Sequence, residues 1–323
     1  MRSQAPAVEW PTLVILVATY GIWLFATSAL YSSFPVIATV VTGLAIAQFS
    51  SLQHETLHGH PFRSRRLSEA VVLPALTLTV PYGRFRDTHL AHHHDPILTD
   101  PYDDPESNFL DPAVWNRLSA PVRALLRANN TVLGRMTIGP IIGNALWLRG
   151  EIALLRAGDA HVRREWLLHM VGLVPVVVWL WLAAMPWWAY LIAAWIGHGL
   201  LKLRTYLEHR AHDTARARTV VVEDRGPFAL LFLNNNFHAV HHMHPGVAWY
   251  KLPGLYDQNR THYLRRNDGY AYASYAQIIR AHLLRAKDPV PHPMWTGSGQ
   301  AAELGPVAGI VKERHPRVAI PAK

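Results

Sequence analysis

Two stretches near the start of this sequence, 12–30 and 34–53, contain no charged residue. Each is about 20 residues long, the length at which a helix crosses roughly 30 Å of hydrocarbon. A second pair, 166–185 and 186–203, is interrupted mainly by His169, Pro175 and His198, and membrane helices tolerate an internal proline. The expected fold is therefore an all-α integral membrane protein with four transmembrane helices in two hairpins. A fifth apolar stretch, Ala70 to Tyr82, has two prolines and is too short to cross; it is expected to dip into the bilayer. The segment before the first span lacks the basic start and small-residue cleavage site of a signal peptide, so the span reads as a retained anchor.

The loops set the expected orientation. The hairpin tips, Tyr31–Ser33 and Met185–Pro186, carry no charge, whereas arginines follow the hairpin exits: Arg63, Arg65, Arg66, Arg84 and Arg86 after the first, Arg204, Arg210, Arg216 and Arg218 with Lys202 after the second. Under the positive-inside rule both termini and every large loop are cytoplasmic, which in a bacterium means the inner membrane. The net charge of +9 then reads as topology and attraction to membrane lipids; no nucleic-acid motif accompanies it. Residues 1–285 are expected to form one catalytic domain with a cytoplasmic helical cap, and 286–323, rich in Pro, Gly and charge, a flexible tail.

Three histidine clusters lie beside these membrane exits: HETLHGH at 54–60, HLAHHH at 89–94 and HAVHHMH at 238–244. Spacings of three and four place imidazoles on one helical face. Neutral imidazole is the common nitrogen ligand of iron, zinc and copper, and eight or more exceed one ion's capacity, so a two-metal site is the first expectation. The predicted topology puts all three clusters on one side of the membrane, where they can converge. The sequence has no cysteine, which excludes thiolate ligands and a built-in iron–sulfur cluster; electrons for redox chemistry must come from a separate protein.

Alternatives stay open on the residues alone. HETLH also matches HExxH, a zinc protease pattern in which Glu55 would be the base, and a histidine-rich membrane protein could bind or transport metal without catalysis. His209, beside Glu208 at the end of the fourth span, is a further ligand candidate ahead of His212. Glu55, His60, Asp87, His94, Asp95, Glu208, His212 and Asn234 are candidates for supporting the ligands through hydrogen bonds.

HETLH, HLAHH and HAVHH, in this order and at membrane exits, resemble the three histidine boxes of the membrane fatty acid desaturase and hydroxylase superfamily. The resemblance spans roughly 13–253. HETLHGHP, LTDPYDDPES, RTYLEHRA and NNNFH further resemble a bacterial branch that includes hydrocarbon oxygenases. The resemblance implies that His54, His58, His89, His92, His93, His238, His241 and His242 bind two irons, with His209 at the place of a further ligand in stearoyl-CoA desaturases. It departs in the short first box and in the lack of a fused cytochrome b5 domain. What it implies is an O2-dependent enzyme that desaturates or hydroxylates a lipid-like chain. Its electrons would come from a ferredoxin, rubredoxin or cytochrome b5-like donor.

Overall fold

The computed structural model describes residues 8–295. The first apolar run forms helix α1 (Trp10–Phe25), which continues through a π turn (Ala26–Leu30) to Ser33. Hydroxyl groups explain the widened turn: Thr27 and Ser28 donate back to the carbonyls of Trp23 (2.8 Å) and Leu24 (2.6 Å). Phe34, held extended by the proline that follows, breaks the chain, and α2 (Pro35–Leu57) returns. Then come α3 (Arg65–Val71), α4 (Tyr82–His92), α5 (Gly139–Arg156), α6 (Ala160–Leu182), α7 (Trp187–Thr205), α8 (His238–Met243) and α9 (Leu252–Arg266). Short helices fill the connections, and two-residue strands at Val221–Val222 and Ala271–Tyr272 pair in parallel.

Three helical stretches are long and apolar enough to cross a membrane among the described residues: Trp10–Ser33, Pro35–Leu57 and Ala160–Leu182. The expected fourth span, α7, falls outside that set, because its C-terminal half carries His198, Lys202 and Arg204. Its outer face is nonetheless apolar, with Trp187, Trp188, Leu191, Ile192 and Trp195 exposed, as Val171, Val174, Val178 and Trp181 are on α6.

The two hairpins lock together through small residues and buried hydrogen bonds. A Cβ on Gly43 would stand 2.8 Å from Cγ2 of Ile196, and one on Gly197 would stand 2.9 Å from the carbonyl oxygen of Gly43, so α2 and α7 touch backbone to backbone. Such small-residue seams hold helices together where hydrocarbon removes the hydrophobic drive. Trp23 donates to the Tyr190 hydroxyl (3.1 Å) and Trp179 to that of Thr27 (2.9 Å).

The segment 72–81 is irregular, as its prolines require, and it is wedged between helices. Ala75 N–H donates to the Gly172 carbonyl (3.0 Å), the Tyr190 hydroxyl to the Leu76 carbonyl (2.8 Å), and His169 Nε2–H to the Leu78 carbonyl (3.0 Å). Irregular backbone packed among apolar helices needs partners from the protein, and these three bonds supply them to Ala75, Leu76 and Leu78.

The segment after 285 departs from the expected tail as far as Trp295. Lys287 Nζ donates to the His209 carbonyl (3.0 Å), Val290 accepts from Leu110 N–H (3.0 Å), and His292 N–H donates to the Leu110 carbonyl (2.8 Å). Its apolar and backbone groups find partners on the loop at 98–111, which composition alone does not reveal. The remainder of that expected tail, 296–323, lies outside the described residues.

Candidate metal centre

Nine histidines from distant parts of the chain meet in two groups. His54, His58, His89, His93 and His241 form one; His92, His209, His238 and His242 form the other, and within each group the ring nitrogens lie within 4.8 Å of one another. Helix geometry explains the partition. At about 100° per residue, positions i and i+4 diverge by about 40° while i+3 and i+4 diverge by about 100°. In HLAHH the i,i+4 pair His89 and His93 therefore joins the first group and His92 the second. HAVHH does the reverse: His238 and His242 join the second group, His241 the first. The groups abut where His93 and His242 stack, ring centroids 4.3 Å apart.

The far edge of several rings is held by an oxygen. His92 Nδ1 lies 2.7 Å from Asp104 Oδ1, His89 Nδ1 3.0 Å from Glu106 Oε1, and His238 Nδ1 3.2 Å from Asn235 Oδ1. Each oxygen accepts a hydrogen bond from Nδ1–H, which leaves the Nε2 lone pair facing the group centre, the tautomer a metal needs. There the Nε2 atoms crowd: His92 to His209 2.8 Å, His93 to His89 2.9 Å, His238 to His209 3.2 Å. The Nε2 atoms of His54, His58 and His241 are buried and have no hydrogen-bond partner. Orphaned, convergent nitrogens of this kind fit two metal ions, one per group.

Electrostatics agrees for most of the rings. Burial, and then neighbouring imidazoles, push His93, His209, His238 and His241 below the ordinary histidine range, which keeps them neutral and able to coordinate. His92 is the exception. Burial lowers it too, but the carboxylates of Glu106 and Asp104 outweigh that and hold it up to about 9. Glu106 itself, which burial would raise, is kept well below the ordinary carboxylate range by His89 and His92.

The supporting residues expected from sequence divide. Glu208 is buried and accepts from Asn235 Nδ2 (3.2 Å), so it reaches His238 through that asparagine; burial raises its carboxyl. The others serve elsewhere. Asp87 is drawn away from the cluster by Arg84, Arg86 and His161, the last at 2.5 Å. His212 faces Asp268 (3.4 Å), and His94 is exposed. Asn234 spends its amide on the Trp249 carbonyl (3.2 Å). Glu55 is buried, and its Oε2 accepts from the Trp249 N–H (3.2 Å). His60 is buried with Nε2 unpartnered but belongs to neither group. The side chain of Asp95 lies outside the described residues. Sequence reasoning missed Asp104 and Glu106, which sit in the loop after the second cluster; three acids within four residues beside a histidine box were the available signal.

A helical body with helices long and apolar enough to cross a membrane, and two abutting polyhistidine groups at helix ends, defines a class of membrane protein equipped to bind metal. The fatty acid desaturase family model matches residues 30–274, and the chain belongs to that family. No curated protein is similar enough to match.

Proposed function

We propose that this protein is an O2-dependent di-iron oxidoreductase that desaturates or hydroxylates an unactivated C–H position of a fatty acyl or other lipid-like chain. It would sit in a bacterial inner membrane with four spans, its termini and metal centre cytoplasmic, and take electrons from a separate donor of the ferredoxin, rubredoxin or cytochrome b5 kind. The observation that carries this reading is the division of nine histidines into two adjoining groups, in a chain whose family is one of oxidoreductases.

Two irons, when bound, supply reductive activation of dioxygen and the oxidising power to remove hydrogen from an alkyl chain. The protein's part is to hold, orient and exclude. Asp104, Glu106 and Asn235 fix protons on Nδ1 of His92, His89 and His238, so that Nε2 is the donor atom. Burial of His54, His89, His92, His238 and His241 keeps bulk water from the centre, which protects a reactive site from side reactions. Because His54 ends a helix long enough to cross the bilayer, a chain dissolved in the membrane approaches the centre along the protein rather than through water.

The test combines metal analysis with product analysis. Purified protein should hold about two irons per chain, and His92→Ala and His241→Ala, one from each group, should lower iron and product together, while His262→Ala on the exposed face of α9 does neither. Full iron occupancy in both cluster variants would overturn the ligand assignment. About one zinc and no iron, with proteolysis lost in Glu55→Gln, would install the protease instead.

A further inference from the structure

A cavity of about 480 Å3 opens between α3, the irregular segment and the start of α6, and none of the nine clustered histidines lines it. It lies where one candidate span, Pro35–Leu57, has ended and another, Ala160–Leu182, begins. Its wall carries two kinds of charge that do not meet. Arg65 and Arg86 are neutralised by Glu69, at 2.8 and 2.7 Å. Arg66 and Arg164 are exposed and have no hydrogen-bond or ion-pair partner among the described residues.

Glu165 is the unusual member. It is 6% exposed, its carboxylate lies hard against Gly83, and it too has no hydrogen bond or ion pair among the described residues, although Arg164 is its neighbour in sequence. The half-buried Tyr82 hydroxyl on the same wall is also unpartnered. Glu165 shares this wall with Arg66 and Arg164 but is bonded to neither, so its carboxylate is free to take a cation from outside the protein. Leu73 and Leu168 give the wall an apolar side, and Gln53 and His169 complete its polar lining.

We infer that this cavity is a binding site for a primary-amine phospholipid of the phosphatidylethanolamine class. The phosphate meets Arg66 and Arg164, the ammonium meets Glu165, and an acyl chain runs along Leu73 and Leu168. The chemistry discriminates between head groups. An ammonium donates N–H bonds to a buried carboxylate, a choline head group has no N–H to give, and a glycerol head group leaves Glu165 without a countercharge. The site is separate from the metal centre and does not depend on the reaction assigned to it.

Full-length protein is extracted into nanodiscs of mixed ethanolamine, choline and glycerol phospholipids with identical chains, and retained lipid is identified by mass spectrometry. Wild-type protein should retain the ethanolamine lipid about tenfold over the other two, and Glu165→Gln should abolish that preference. Arg66→Gln with Arg164→Gln should weaken retention of every phospholipid. Equal retention of the three head groups by wild-type protein overturns the inference without any variant, which guards against a substitution that fails to fold. An unchanged preference in Glu165→Gln also overturns it. So does recovery of a free fatty acid or acyl thioester from the cavity, which would make it a substrate mouth.

Discussion

Nε2 of His92 and Nε2 of His209 face one another at 2.8 Å, although 117 positions separate them in the chain. Two ring nitrogens at that distance share one proton or one metal ion. His92 is braced from behind by Asp104, which also accepts from the Thr99 and Glu106 N–H groups, both at 2.9 Å, so a single carboxylate orders a loop and a ligand together.

Asp104→Asn replaces that carboxylate with an amide of similar size. The ring of His92 then loses its preferred tautomer, and metal affinity of the second group should fall about 10–100-fold. Iron titration of the purified variant, followed by its optical spectrum, checks this; unchanged affinity would show that Asp104 serves the loop alone.

Glu106 and Asn235 should separate the two groups. Glu106 Oε1 hydrogen-bonds His89 of the first group at 3.0 Å while its other oxygen stands back at 4.0 Å from His92, whereas Asn235 holds His238 of the second. Glu106→Gln should weaken the first ion and Asn235→Ala the second, each by about tenfold or more, read as distinct signals in Mössbauer spectra of partially loaded protein. Identical losses in both variants would mean the groups do not load separately.

The glycine seam predicts a packing failure. Gly43→Val and Gly197→Val each place carbon within 3 Å of neighbouring atoms. Pushing α2 from α7 should cost about 1–3 kcal/mol and lower the melting temperature in detergent, with iron lost in parallel because His54 rides on α2 and His209 follows α7. Gly21→Val, where a side chain meets nothing within 4 Å, is the control.

Acid sensitivity has a named contributor at Glu223, which accepts from Arg260 Nε (2.6 Å) and the Tyr256 hydroxyl (2.5 Å) and ties α9 to the strand pair. The Arg260 hydrogen bond holds its carboxyl below the ordinary value, so its contribution is present above about pH 4.5 and is lost as pH falls through the lower folded value. Because Arg260 is largely exposed, solvent screening keeps the effect small. Melting curves from pH 6 to pH 3 should converge for wild type and Glu223→Gln at the acid end; a constant gap would place the effect in packing.

Sequence and structure agree where the physics is local. Charge-free runs locate α1, α2 and α6, because length and hydropathy alone decide whether a helix can cross hydrocarbon. The ring spacing in HLAHH and HAVHH, with helix geometry, also determines which group each histidine joins. The sequence was less informative about partners brought from afar. Asp87 is nearer than Glu106 to His89 along the chain, yet Arg84 and Arg86 claim it, and no periodicity reports such competition. Among the three adjacent asparagines, the positive φ at Asn234 turns its side chain toward Trp249 and leaves Asn235 for His238; that backbone choice belongs to the folded chain.

The clasp at Lys287 bears on how the centre is made. This lysine grips the His209 carbonyl, and His292 reaches the Thr99 hydroxyl at 3.2 Å in the loop that carries Asp104 and Glu106. Both are translated after all nine imidazoles have left the ribosome. The strap that fastens the His209 carbonyl to the loop of Asp104 and Glu106 is therefore synthesised after every ring it braces.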